Sequence, residues 1–130
     1  CWEPDMALSK AKSTIVASAT NSAAGTTRGT LTLAAKYGGI VTMKITNGGT
    51  GPTVQCEGRV LVSHEDTLPT AASAGSDWKT VWRFGGGTTA SAVTEQSFTF
   101  GPEIRHIEVE FTGNTGQDVT VEALATTFEV

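Results

Sequence analysis

Eight short segments of this chain alternate apolar and polar residues, and each is fenced by glycine or by a cluster of Gly, Ser, Thr and Ala. The clearest is 40–46, where Val41, Met43 and Ile45 point one way and Thr42, Lys44 and Thr46 the other. A period of two with one wet face is the pattern of an antiparallel strand on a core. Eight such strands predict an all-β fold, a two-sheet antiparallel β-sandwich of jelly-roll or immunoglobulin-like topology. Strand order is not written in periodicity, so both topologies stay open. Residues 1–12 lack a period and contain Pro4, which predicts an extended N-terminal arm ahead of a single sandwich domain over 13–130.

The expected strands are 13–19, 29–35, 40–46, 53–63, 78–84, 93–100, 104–112 and 117–130. Asn47-Gly48-Gly49-Thr50-Gly51-Pro52 is the strongest turn. In 53–63 the inward set reads Val54, Cys56, Gly58, Val60 and Val62, with Gly58 marking a bulge or a close approach. In 78–84 Trp78, Thr80, Trp82 and Phe84 share a face. In 104–112 Ile107, Val109 and Phe111 face the core, while His106, Glu108 and Glu110 face water. The apolar face of the last strand switches near Ala123, from Val119 and Val121 to Leu124 and Phe128, as a bulge or sheet crossing would require. The stretch 65–77 is the longest loop, and loops of that length are usually functional or mobile.

Composition narrows function by exclusion. Twenty-two threonines and 15 glycines suit pleated surfaces and tight turns. A net charge of −4 with scattered basic residues argues against nucleic acid as a partner, because phosphate binding needs clustered Lys and Arg. No apolar run approaches a membrane span, and the start lacks the charged and apolar regions of a signal peptide. Met6-Ala7-Leu8-Ser9-Lys10 reads like a translation start, with Cys1 to Asp5 as an upstream extension. Asn21, Asn47 and Asn114 each miss the glycosylation sequon. The two cysteines, Cys1 and Cys56, are expected to remain reduced, with Cys56 a small buried apolar residue and folding in the cytosol.

No catalytic or metal signature sits on the strands, and no cofactor is expected. His64-Glu65-Asp66 cannot converge on one ion, because neighbours on a strand point to opposite faces. No Gly-x-Ser-x-Gly elbow is present. Glu108 and Glu110 share a face about 7 Å apart by strand rise, yet glutamates on a wet face are routine. The glycine runs at 48–51 and 85–87 open no helix and read as turns rather than phosphate loops. The expectation is a non-enzyme built to bind or assemble.

A resemblance sharpens it. Thr46-Asn47-Gly48-Gly49-Thr50-Gly51-Pro52, the run Ser76-Asp77-Trp78-Lys79-Thr80-Val81-Trp82-Arg83-Phe84-Gly85-Gly86-Gly87, and Val109-Glu110-Phe111-Thr112-Gly113-Asn114-Thr115-Gly116 resemble the capsid decoration (cement) proteins of tailed bacteriophages, such as that of a Bordetella phage. The resemblance implies a structural virion protein, made in the host bacterial cytoplasm. It would bind the outside of an icosahedral capsid as a homodimer and clamp neighbouring capsomers, with the major capsid protein of the same phage as partner. Within that reading the arm and the long loop are the expected shell contacts, through Trp2, Leu8, Lys10, Lys12, His64, Glu65, Asp66 and Leu68. The dimer contact is expected at the tryptophan strand, through Trp78 and Trp82. The alternatives are a phage tail tube, fibre or baseplate component and a carbohydrate-binding module, the latter requiring those tryptophans to be exposed as a flat platform.

Overall fold

The computed structural model describes residues 8–130. Eight strands follow one another: β1 (Ser9–Asn21), β2 (Thr26–Thr32), β3 (Gly38–Asn47), β4 (Glu57–Ser63), β5 (Lys79–Gly85), β6 (Val93–Phe100), β7 (His106–Thr112) and β8 (Val119–Glu129). They form two four-stranded antiparallel sheets, ordered β1-β8-β3-β6 and β2-β7-β4-β5. Successive strands alternate between the sheets except β4 and β5, which pair as neighbours in one sheet, and the order is that of a jelly roll, which settles the topology that periodicity left open.

The core lies between the sheets. Val41, Met43 and Ile45 of β3 face Val60, Val109 and Phe111 of the other sheet, all fully buried. Burying a side chain of this kind contributes roughly 1.5–3 kcal/mol, so this two-layer interior is the main stabilising term. Cys56 is buried beside it, and burial pushes its thiol up to about 12, which makes it inert.

Several strand features depart from the sequence reading. β1 begins at Ser9, so residues 9–12 are not an arm but pair with Glu129 to Thr126. The expected strand at 53–63 starts only at Glu57, and Val54 is exposed on an isolated bridge to Thr115. Pro52 and the turn before it delay the pairing. β8 has no switch of face: Val119, Val121, Ala123, Ala125 and Thr127 form one buried row, and β8 pairs with β3 without a slip. Two alanines fill the inner row where the large side chains of β3 and β7 leave little room, and the bulkier Leu124 and Phe128 point out. The irregularities lie instead on β1, at Thr14/Val16 and Val16/Ala19, where that strand bends toward β2.

Two glycines are explained by close approach. The Phe84 ring lies over Gly58, its cross-strand partner, so no bulge is needed there. A Cβ on Gly29 would fall against the backbone carbonyl of Ile15, where β1 crosses onto β2. All three asparagines are buried loop staples. Asn21 Nδ2 donates to Asn114 Oδ1 at 2.6 Å, Asn114 Nδ2 donates to Gln117 O at 3.0 Å, and Asn47 Nδ2 donates to Thr89 O at 2.9 Å.

Gly29→Ala is expected to destabilise by about 1–3 kcal/mol, since backbone rather than a flexible side chain must move. Gly49→Ala, with nothing within 4 Å, is expected to change stability by under about 0.5 kcal/mol. Urea melts of the two variants check the pair, and equal losses would contradict the close crossing of β1 and β2.

Candidate interaction surfaces

The long loop after β4 does not hang free. Leu61, Ser63, Trp78, His106 and Glu108 are all buried, although none belongs to the core between the sheets. They lie on the outer face of the β2-β7-β4-β5 sheet, and residues 64–78 strap across them. The strap is tied at several points. Trp78 Nε1 donates to Thr70 O at 2.9 Å, and Ala72 N donates to Glu108 Oε2 at 3.1 Å. Arg28 Nη2 donates to Ser73 Oγ at 2.5 Å, and Arg105 pairs with Asp66. His106 Nε2 lies 2.9 Å from Glu65 O, which can only accept, so in the neutral ring Nε2 carries the proton. Nδ1 then accepts from the Thr32 hydroxyl at 3.1 Å.

This corrects the reading of His106, Glu108 and Glu110 as water-facing: they are 3%, 0% and 1% exposed. The alternation of β7 is real, but the strap dries its second face. The cost of the buried charges is met across the strands. Register sets Arg28, Glu110, Arg59 and Arg83 in one row. Arg28 Nε donates to Glu110 Oε2 at 2.8 Å and Arg59 Nη1 donates to Oε1 at 3.2 Å, so both oxygens are held. Arg59 Nε also donates to Glu57 Oε1 at 2.6 Å, and that bond is the main cause that raises the guanidinium pKa. Glu108 fares worse. Arg28 Nε stands 3.5 Å from its Oε1, beyond a good hydrogen bond, and Oε1 has no hydrogen-bond partner.

Burial therefore dominates at Glu108 and pushes its carboxyl from 4.5 up to about 7, with the charge of Glu110 adding to the rise. The Ala72 N–H and Arg28 pull the other way without prevailing. A folded pKa above the unfolded value means that the folded protein holds the extra proton. Its stabilisation is full below pH 4.5 and is lost as pH rises through about 7. Across that window the loss is on the order of 3 kcal/mol. Glu108→Gln is expected to remove this dependence and to be more stable than the parent at pH 8. Chemical melts at pH 5 and pH 8 measure it, and an unchanged pH slope in the variant would show that Glu108 stays ionised throughout.

Chain reversals gather the expected shell contacts. The segments 33–37, 64–78 and 101–105 and the start of β1 lie at one end of the sandwich, and the asparagine-stapled loops lie at the other. Leu8 is thus at the same end as the strap, which carries exposed His64, Glu65, Asp66 and Leu68. Lys10 and Lys12 are exposed on β1 just behind it, opposite Phe128 and Thr126. Trp2 lies outside the described residues. Sequence reasoning missed Tyr37, Ile40 and Val130, which are 50%, 39% and 55% exposed at this same end. Tyr37 lies beside Val130, and Leu8 precedes Ser9, which pairs with Glu129; Ile40 points out from the β1-β8-β3-β6 sheet next to Lys12. Of eight exposed large hydrophobics among the described residues, Leu8, Tyr37, Ile40, Leu68 and Val130 belong to the strap end.

The two tryptophans part company. A bulge at Val81 shifts the register, so that Val60 faces Trp82 but Leu61 faces Thr80. Trp82 therefore turns to the interior side, half-buried, with ring centroids 5.2 Å from Phe84 and 5.8 Å from Phe98. Trp78 turns to the outer side and is 2% exposed beneath the strap. Its own chain encloses it, so the expectation of a shared face is corrected and only Trp82 offers surface to a partner. Among the described residues no three His, Cys, Asp or Glu converge as metal ligands.

No protein-family model and no curated protein matches the chain by sequence. Solved structures do match in shape. The K3 cleaved adhesin domain of Lys-gingipain from Porphyromonas gingivalis aligns with a TM-score of 0.58 at 10% identity, covering 85% of this chain and 73% of that one. The structure of infectious bursal disease virus Gx strain aligns at 0.56 and 12% identity, covering 99% of this chain and 33% of that one, so this chain spans a third of its length. The SPBc2 prophage-derived protein YomS aligns at 0.44 and 17% identity, covering 95% and 98%, which is too weak a likeness to argue from. At these identities the matches show a shared β-sandwich fold alone.

Proposed function

We propose that this chain is a structural protein of a tailed-phage virion. It acts as a homodimer that docks on the outside of the assembled capsid and clamps neighbouring capsomers without transforming any substrate. The observation that carries the reading is the group of exposed Leu8, Tyr37 and Val130 at one end of a jelly roll, the same end that bears the strap with exposed Leu68. Exposed apolar side chains grouped within a polar rim mark an interaction surface. At the opposite end the asparagine amides are turned inward onto neighbouring loops, which leaves less for a partner. The resemblance of the turn and strand sequences to the Bordetella phage cement protein points the same way. A ligand of the expanded lattice stabilises that lattice by mass action, and a modest contact repeated at every site suffices. The carbohydrate alternative is weakened by Trp78, which is enclosed and cannot form half of a sugar platform.

The test is co-sedimentation of the purified chain with mature shells and with precursor shells of the phage that encodes it. Stoichiometric binding to mature shells alone is expected, and binding to neither would overturn the proposal. Tyr37→Asp and Leu68→Asp are each expected to weaken shell binding by roughly tenfold, a loss of about 1.4 kcal/mol, while leaving the melting curve unchanged.

A further inference from the structure

Each sheet has two edge strands: β1 and β6 in one, β2 and β5 in the other. An edge presents unpaired main-chain N–H and C=O groups, and proteins blunt such edges with Lys, Pro, bulges or covering segments. Three edges here are blunted. β1 carries exposed Lys10 and Lys12 and then crosses onto β2 where Ile15 meets Gly29, which covers part of β2 as well. β5 is bulged at Val81 and carries exposed Lys79 and Arg83.

β6 differs from all of these. Its eight residues, Val-Thr-Glu-Gln-Ser-Phe-Thr-Phe, hold no Pro, Gly, Lys or Arg, and they pair with β3 without a slip from Gly39/Phe100 to Thr46/Val93. The side of the sandwich between β5 and β6 is also incompletely closed. Gln96 pairs with fully buried Met43 and so points inward, yet it is exposed. Trp82, Phe84 and Phe98 are only half-buried there, and a cleft of about 240 Å³ lined by Val62, Val81, Phe98 and Ile104 opens beside them.

We infer that β6 pairs antiparallel with β6 of a second copy, joining two four-stranded sheets into one eight-stranded sheet and covering the open side of each sandwich. The charge pattern favours a copy of the same strand. With Gln96 opposite Gln96 or Ser97 of the other copy, the single charge, Glu95, meets Ser97 or Phe98, and no like charges face each other. The same operation on β1 about Ala11 would set Lys10 against Lys12. The inference rests on the homodimer part of the proposed function and moves its contact from the tryptophan strand to the neighbouring edge.

Sedimentation velocity on the full chain over about 1–200 µM tests it, alongside hydrogen exchange at both limits. A reversible dimer is expected, with slower exchange of β6 amides at high concentration. Gln96→Lys, which sets lysines opposite or diagonal across the two-fold, is expected to raise the dissociation constant about tenfold or more with an unchanged melting curve. Leu8→Lys, ahead of β1 at the far edge of the same sheet, is expected to leave it unchanged. A monomer throughout overturns both the edge pairing and the homodimer. A dimer that survives Gln96→Lys but is lost in Leu8→Lys overturns the edge pairing and leaves the homodimer standing. If Gln96→Lys fails to fold, the parent's exchange decides: no concentration-dependent protection in Val93–Phe100 overturns the pairing.

Discussion

Strand β7 is dry on both faces, and its outer row is ionisable. That combination organises half of the molecule. A strand buried on both sides normally reads as a continuous apolar run. Here Ile107, Val109 and Phe111 alternate with His106, Glu108 and Glu110, all of them buried. Two guanidiniums, from β2 and β4, must reach Glu110 across the sheet, and the strap must lend a main-chain N–H to Glu108. Buried charges stabilise poorly but tolerate few arrangements, so the row pins the register of three strands at once. The same row explains why the strap is ordered. Its polar backbone meets fixed partners on the sheet rather than a greasy surface over which it could slide.

Much of this was legible in the sequence, and the misses have a common cause. Period two marked all eight strands, and β6 was bounded to the residue because it has glycine-rich turns on both sides and no irregularity. Periodicity reports which residues share a face. It does not report whether a distant segment will come back to cover the polar one. Glu108 and Glu110 therefore read as wet, and Trp78 read as a neighbour of Trp82, because nothing local announces the strap or the bulge at Val81. Leu124 and Phe128 read as a switch of face near Ala123, whereas Ala123 and Ala125 fill the inner row, where small residues stand opposite large ones. The cluster of Leu8, Tyr37 and Val130 was invisible for another reason, since its members come together only when the chain ends and the β2–β3 link meet in space.

The two ends of the sandwich show a division of labour. At one end Asn21, Asn47 and Asn114 satisfy loop carbonyls from buried positions, so those turns are bound to the scaffold and expose little that a partner could use. At the other end a long segment is held mostly by bonds to its backbone and rim, with apolar side chains left outside. Rigid sheets that carry function on their connecting loops are common among β-sandwiches. The asymmetry here gives that generalisation named residues.

The outer face of the β1-β8-β3-β6 sheet bears on how many such molecules could sit side by side. Thr42, Thr46, Thr120 and Thr126 point out from it, and Lys44 stands between Glu122 and Glu95 in register. Hydroxyls keep this face wet with almost no net charge. Between copies brought close together, like-charged faces repel within a Debye length, about 8 Å at physiological salt. A surface of threonines with interspersed charges of both signs limits that repulsion.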